Sequence, residues 1–132
     1  MILVDSSVWI DYFNGVDASE TEFLDRALGK YEVAIGDIML TEVLQGFHKD
    51  SDFAAAKRLL TALDVFPLLG EQNAVIAASS YRKLRKKGIT VRKTTDVIIA
   101  TFCIESHRPL LFTDKDFNPF VQHLGLLNAL VK

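Results

Sequence analysis

A single cysteine, Cys103, excludes any disulfide within this 132-residue chain and fits a reducing compartment. It lies in an apolar helical stretch and reads as a small core residue. Only three prolines and seven glycines punctuate the sequence, and no repeat, low-complexity tract or linker divides it. The expectation is therefore one domain over residues 1–132. No apolar run approaches the roughly 20 residues that a membrane-spanning helix needs. A basic leader is missing too, because Met1 passes straight into Ile2-Leu3-Val4-Asp5; the expected compartment is the cytoplasm. Nor is there an excess of positive charge. Fifteen Lys and Arg against 17 Asp and Glu leave a net charge of −2, which excludes a protein that grips nucleic acid by global charge alone. The three histidines, His48, His107 and His123, match no metal-ligand spacing and read as surface or helix-end residues.

What the chain has in quantity is apolar side chains. They make up 49 % of its residues and give a mean hydropathy of +0.19, which points to an exposed patch and to self-association or a protein partner. Their spacing alternates between strand and helix. Strands are expected at Ile2–Asp5, Glu32–Ile35, Val65-Phe66 and Leu110–Thr113, with a last one at Leu126–Val131. Helices are expected at Val8–Asn14, closed by Gly15; from a Ser19-Glu20-Thr21-Glu22 capping box through Leu28; and from an Asp37 cap to Phe47. Further helices are expected from about Asp50 to Leu63, from Glu71 to Lys87 with Gly88 as its stop, from a Thr94-Thr95 cap to about His107, and over Asn118–His123. Strands alternating with helices predict an α/β fold, a parallel sheet covered on both faces. In such sheets the crevice lies beyond the carboxyl ends of the strands.

Against this apolar background, a few carboxylates stand alone. Asp5 ends the first strand and Asp114 follows the fourth, with Asp116 close by. Glu42 sits within Ile38-Met39-Leu40-Thr41-Glu42-Val43-Leu44, and Asp96 opens the apolar helix Val97-Ile98-Ile99-Ala100. Ionised carboxylates are rarely buried unless a cation or metal accompanies them. Gathered together they repel one another, and a hard divalent cation relieves that repulsion. Each has a plain alternative: a turn or helix cap for Asp5 and Asp114, a surface position for Glu42, a dipole contact for Asp96. On a helix, Ile38, Glu42 and Gly46 share one line, and a helical glycine suggests a close approach of backbone or ligand.

Taken jointly, the pattern resembles the PIN-domain ribonucleases, and more narrowly the VapC-type toxins of prokaryotic toxin–antitoxin pairs. Leu3-Val4-Asp5-Ser6-Ser7-Val8-Trp9-Ile10 is similar to the family's first motif and Thr41-Glu42-Val43-Leu44-Gln45-Gly46 to its second. The stretch from Gly88 through Arg92-Lys93-Thr94-Thr95-Asp96 to Ala100 is similar to the third, and Leu111-Phe112-Thr113-Asp114-Lys115-Asp116-Phe117 to the fourth. The resemblance implies a PIN-like three-layer α/β/α sandwich around a central parallel sheet. It also implies a homodimer, Mg²⁺ or Mn²⁺ held by the acids, an RNA substrate and a VapB-type protein antitoxin. Oxygen donors without His or Cys favour those same metals over zinc. The implied chemistry is metal-assisted hydrolysis of an RNA phosphodiester. Asp5 and Asp96 are the expected direct ligands. Glu42 and Asp114 complete the shell or orient the water, Asp116 is a further ligand, and Ser7 and Thr113 hold ligands or water in place.

The densest basic cluster is Arg82, Lys83, Arg85, Lys86 and Lys87, followed by Arg92 and Lys93 just before Asp96. It reads either as a solvated helix end or as a set of contacts to RNA phosphates beside a site that otherwise repels them. Three alternatives stand beside the toxin reading. One is a PIN nuclease that matures or decays RNA, another a PIN module without catalysis. The third is a phosphorylation receiver, which Ser6-Ser7 after Asp5 fits poorly.

Overall fold

The computed structural model describes residues 1–130. Four short parallel strands form its centre: β1 (Ile2–Val4), β2 (Val33–Gly36), β3 (Asp64–Phe66) and β4 (Leu110–Leu111), in the order β3-β2-β1-β4. Leu3 pairs with Ala34 on one side and Leu110 on the other. β1 and β2 are the inner strands, and their apolar residues face helices on both sides of the sheet, as parallel sheets require. Leu3, Val4, Ala34 and Ile35 have no solvent exposure at all.

Among the described residues, seven helices flank the sheet. α1 (Ser6–Phe13), α2 (Ser19–Gly29), α3 (Asp37–Leu44) and α4 (Asp50–Thr61) form one group; α5 (Gly70–Lys86), α6 (Thr94–Glu105) and α7 (Asn118–Leu124) form the other. α6 is apolar nearly all round, and Val97, Ile99, Ala100, Thr101 and Cys103 are buried. It is therefore a core helix whose start cannot swing out to water. The Cys103 thiol is pushed up to about 12 by burial, as befits an inert core residue. The expected α/β/α sandwich is what forms. All three histidines are exposed, and no helix among the described residues is long and apolar enough to cross a membrane.

Several local expectations need correction. α1 begins at Ser6, two residues early, because the Asp5 side chain caps it. The cap of α2 is Ala18 rather than Ser19: Thr21 Oγ1 accepts from the Ala18 amide at 3.0 Å, and alanine offers no return acceptor. Asp37 lies inside α3, after Gly36. Its carboxylate is taken by a distant partner, the Leu68 amide, which donates to Oδ1 at 3.2 Å. Thr94 and Thr95 are likewise already helical, and Lys93 precedes them at the cap position. α3 stops at Leu44, so Gly46 is not helical; a Cβ there would meet only the Val43 carbonyl at 3.6 Å, an ordinary van der Waals distance. No backbone approaches Gly46 closely. β4 is two residues long rather than four. In place of a last strand the described residues show one parallel bridge, Asn128 to Leu110; Val131, the end of that expected strand, lies outside them.

Candidate active site

The strand ends deliver the acids. Asp5 follows β1 directly, with its amide donating to the Leu111 carbonyl across the sheet at 2.9 Å. Its Oδ2 accepts from the Ser7 hydroxyl at 2.7 Å and from the Ser7 amide at 3.4 Å. Ser7 Oγ in turn lies 3.3 Å from Thr113 Oγ1. The serine and threonine side chains thus tie the end of β1 to the end of β4. Asp5 is only 5 % exposed and Asp96 6 %.

Asp114 follows Thr113 and caps a single 3₁₀ turn (Lys115–Phe117), with Oδ1 accepting from the Asp116 amide at 2.9 Å. Asp96 occupies the first turn of α6. Carboxylate oxygens of Asp96, Asp114 and Asp116 all lie within 4.8 Å of one another. Glu42, on α3, is half-buried. Two carboxylate oxygens are orphaned in the interior: Glu42 Oε1 and Asp96 Oδ2 are buried and accept from nothing.

The charges are correspondingly hard to hold. Burial raises the Asp5 carboxyl above its ordinary 3.8, opposed by the Ser7 and Ser6 hydrogen bonds and reinforced by Asp114. Burial also raises Glu42, followed by the Asp5 charge, with a Ser6 hydrogen bond and Lys93 opposing. Asp96 is pushed up to about 6 by burial first, then by Asp5, with Lys93 opposing and Asp114 and Asp116 adding to the shift. Asp5 therefore lies within electrostatic reach of both Glu42 and Asp96, which joins all five predicted acids in one field. Orphaned, mutually repelling carboxylates with only oxygen donors fit a hard divalent cation.

Two cations sit at the rim. Arg92 Nη2 donates to Asp116 Oδ2 at 3.0 Å, and Lys93 Nζ lies 3.8 Å from Asp114 Oδ2. The expected basic cluster is thus divided. Arg82, Lys83, Arg85, Lys86 and Lys87 are exposed, and no ion pair links them to a site acid among the described residues, whereas Arg92 and Lys93 touch the acids. Ser6 is a contributor that sequence reasoning did not single out. Its adjacency to the Asp5 cap was the available signal.

The PIN domain family model matches residues 2–120. The chain belongs to the PIN-domain family. Across 98 % of its length this PIN domain is 30 % identical to ribonuclease VapC11 of Mycobacterium tuberculosis and to VapC ribonuclease Mb1587 of Mycobacterium bovis, covering 98 % of each. It is therefore a VapC-type PIN protein. Its fold is also that of a solved chain of VapBC2 from Rickettsia felis, a complex bound to a promoter DNA fragment. That likeness has a TM-score of 0.72 at 18 % identity and covers 97 % of both chains. Asp5, Glu42, Asp96, Asp114 and Asp116 all fall within the matched segment of the PIN domain.

Proposed function

We propose that this chain is a metal-dependent endoribonuclease, the toxic member of a type II toxin–antitoxin pair, and a single PIN domain throughout. The observation that carries the reading is the pair of orphaned buried carboxylate oxygens, on Glu42 and Asp96, beside the strand-end acids of a PIN fold. The relatives named for ribonuclease activity support the substrate class. The solved VapBC complex supports a VapB-type antitoxin as partner, and a single cysteine, buried as a free thiol, fits the cytoplasm.

Asp5 and Asp96 would hold Mg²⁺ or Mn²⁺ directly, with Glu42, Asp114 and Asp116 completing the shell. When bound, the ion supplies Lewis-acid polarisation of the phosphodiester and a water able to attack at neutral pH. The chain's own residues set the geometry. Ser7, braced by Thr113, fixes the rotamer of Asp5 and favours its ionised form. The Asp116 amide fixes the rotamer of Asp114. Arg82, Arg85, Lys86 and Lys87, exposed along the last turns of α5, draw the RNA backbone toward a site whose own charge repels it. Arg92 and Lys93 extend that basic track to the rim of the acids.

Purified protein incubated with end-labelled RNA tests this. Cleavage is expected with Mg²⁺ or Mn²⁺, and none with EDTA or in Asp5→Asn. Well-folded protein that cleaves nothing across a broad panel including structured tRNA and rRNA would overturn the nuclease reading. Arrest of growth on lone expression, together with a neighbouring gene whose product reverses it, separates a toxin from a maturation or decay nuclease.

The homodimer rests on α5 and α6. They leave an open apolar depression of about 430 Å³ lined by Leu69, Ala74, Ala78, Tyr81, Val97 and Ile98, with exposed Val75 beside it on α5. Val75→Asp should shift the protein from dimer to monomer in light scattering; an unchanged mass would move the interface elsewhere.

A further inference from the structure

The five acids are not compensated equally. Buried Asp96 and half-buried Glu42 each have an orphaned interior oxygen, and buried Asp5 accepts from Ser7. The half-exposed members, Asp114 and Asp116, each carry a cation. Those two cations are neighbours in sequence, on the segment that leads into α6 and so into Asp96. Their side chains are 77 % and 59 % exposed, long and flexible. The acids they touch sit on a fixed turn: Asp114 accepts from the Asp116 amide at 2.9 Å, and Asp116 lies within the 3₁₀ turn that Asp114 caps. Exposed ion pairs are individually weak, roughly 1 kcal/mol or less, so a divalent ion entering from solvent can break them.

We propose that Arg92 and Lys93 are built-in counter-cations, displaced from Asp116 and Asp114 by the arriving divalent ion and thereby passed to a phosphate of the incoming RNA. The proposal rests on the metal-site reading above. It amounts to an exchange of partners. Before the exchange, one arginine and one lysine charge cap the outer acids. Afterwards the metal holds the acids, and both cations are free beside the place where the phosphodiester must sit. Net repulsion stays low in both states, which explains why cations stand against acids meant for a metal. Reciprocity follows: metal should strengthen RNA binding through these two side chains, and RNA should strengthen metal binding equally.

Mn²⁺ titration of RNA-free protein by calorimetry tests the first half. Arg92→Gln and Lys93→Gln should each tighten Mn²⁺ binding roughly three- to tenfold, since a competitor and a like charge leave together. In an Asp116→Asn background the Arg92→Gln effect should shrink to the part that loss of a like charge leaves, whereas a pure long-range field effect would persist undiminished. Fluorescence anisotropy of a labelled 2′-O-methyl oligoribonucleotide tests the second half. The double variant should lose affinity in Mn²⁺ and lose much less in EDTA. Unchanged or weaker Mn²⁺ binding in both single variants would overturn the exchange while leaving the metal site standing, and so would equal losses of RNA affinity with and without metal. Failure of wild-type protein to bind Mn²⁺ at all would overturn both readings.

Discussion

Replacing Asp96 with asparagine keeps the shape of the side chain and removes its charge, and the metal-free protein should become more stable for it. In the unfolded chain this carboxyl titrates near its ordinary 3.8; in the folded protein burial, then the Asp5 charge, push it up to about 6. The folded state therefore holds the proton more tightly, and its ionisation works against folding. The sign is fixed by that direction. Below pH 3.8 both states are protonated and nothing is lost; as pH rises toward 6 the penalty grows, and above that it is constant. At about 1.4 kcal/mol per pH unit, the penalty is about 1 kcal/mol at pH 4.5 and about 3 kcal/mol at pH 7.5. Urea denaturation in EDTA at those two pH values reads it directly. Asp96→Asn should exceed wild type at both, by more at pH 7.5, and saturating Mn²⁺ should reverse the ranking because only wild type keeps the full ligand set. Equal midpoints at pH 7.5, or an advantage that does not grow with pH, would show that Asp96 carries no such strain.

Ser7→Ala removes the 2.7 Å hydroxyl bond that favours ionised Asp5. The acidic limb of the pH–rate profile should move to higher pH, because that bond lowers the Asp5 carboxyl, and an unmoved limb would assign that limb to another group. Gly36→Ala places a Cβ 2.5 Å from Leu68 Cδ1, and Leu68 is wholly buried. Chemical denaturation should register a loss of about 1–3 kcal/mol; a wild-type midpoint would show the core yielding there. Reversing Arg82, Arg85, Lys86 and Lys87 to Glu should flatten the salt dependence of RNA binding, by about 0.7 in log–log slope for each single-strand phosphate no longer neutralised. Wild-type affinity across salt concentrations would remove α5 from the RNA path.

The elements that carry the site were readable because their signals are local. Ile2-Leu3-Val4 followed by Asp5, or an all-apolar helix opened by Asp96, states both a period and a break in it. The caps were less readable, and each error had a tertiary cause. Asp37 looked like a helix cap until the Leu68 amide, 31 positions away, claimed its carboxylate. Ala18 displaced Ser19 from the cap position, and Thr21 took the reach-back role expected of Glu22, held there because its hydroxyl also donates to the Val16 carbonyl at 2.8 Å. Gly46 looked helical because periodicity does not mark where α3 ends. The basic cluster read as one patch because sequence proximity hides direction. Only in three dimensions do Arg92 and Lys93 turn to the acids while the α5 cations face solvent.

Asp5 and Asp114 each serve two purposes. Asp5 starts α1 by accepting from the Ser7 amide, and Asp114 starts the 3₁₀ turn by accepting from the Asp116 amide. An alanine at either position deletes a charge and a cap together, and cap loss alone costs about 1 kcal/mol. Asparagine deletes only the charge. A descendant of this chain that abandoned the reaction would still be held by folding to Asp, Asn, Ser or Thr at these two positions. An oxygen-bearing side chain there is thus a record of how the backbone turns, and the living chemistry must be read at Glu42 and Asp96, whose orphaned oxygens no cap requires.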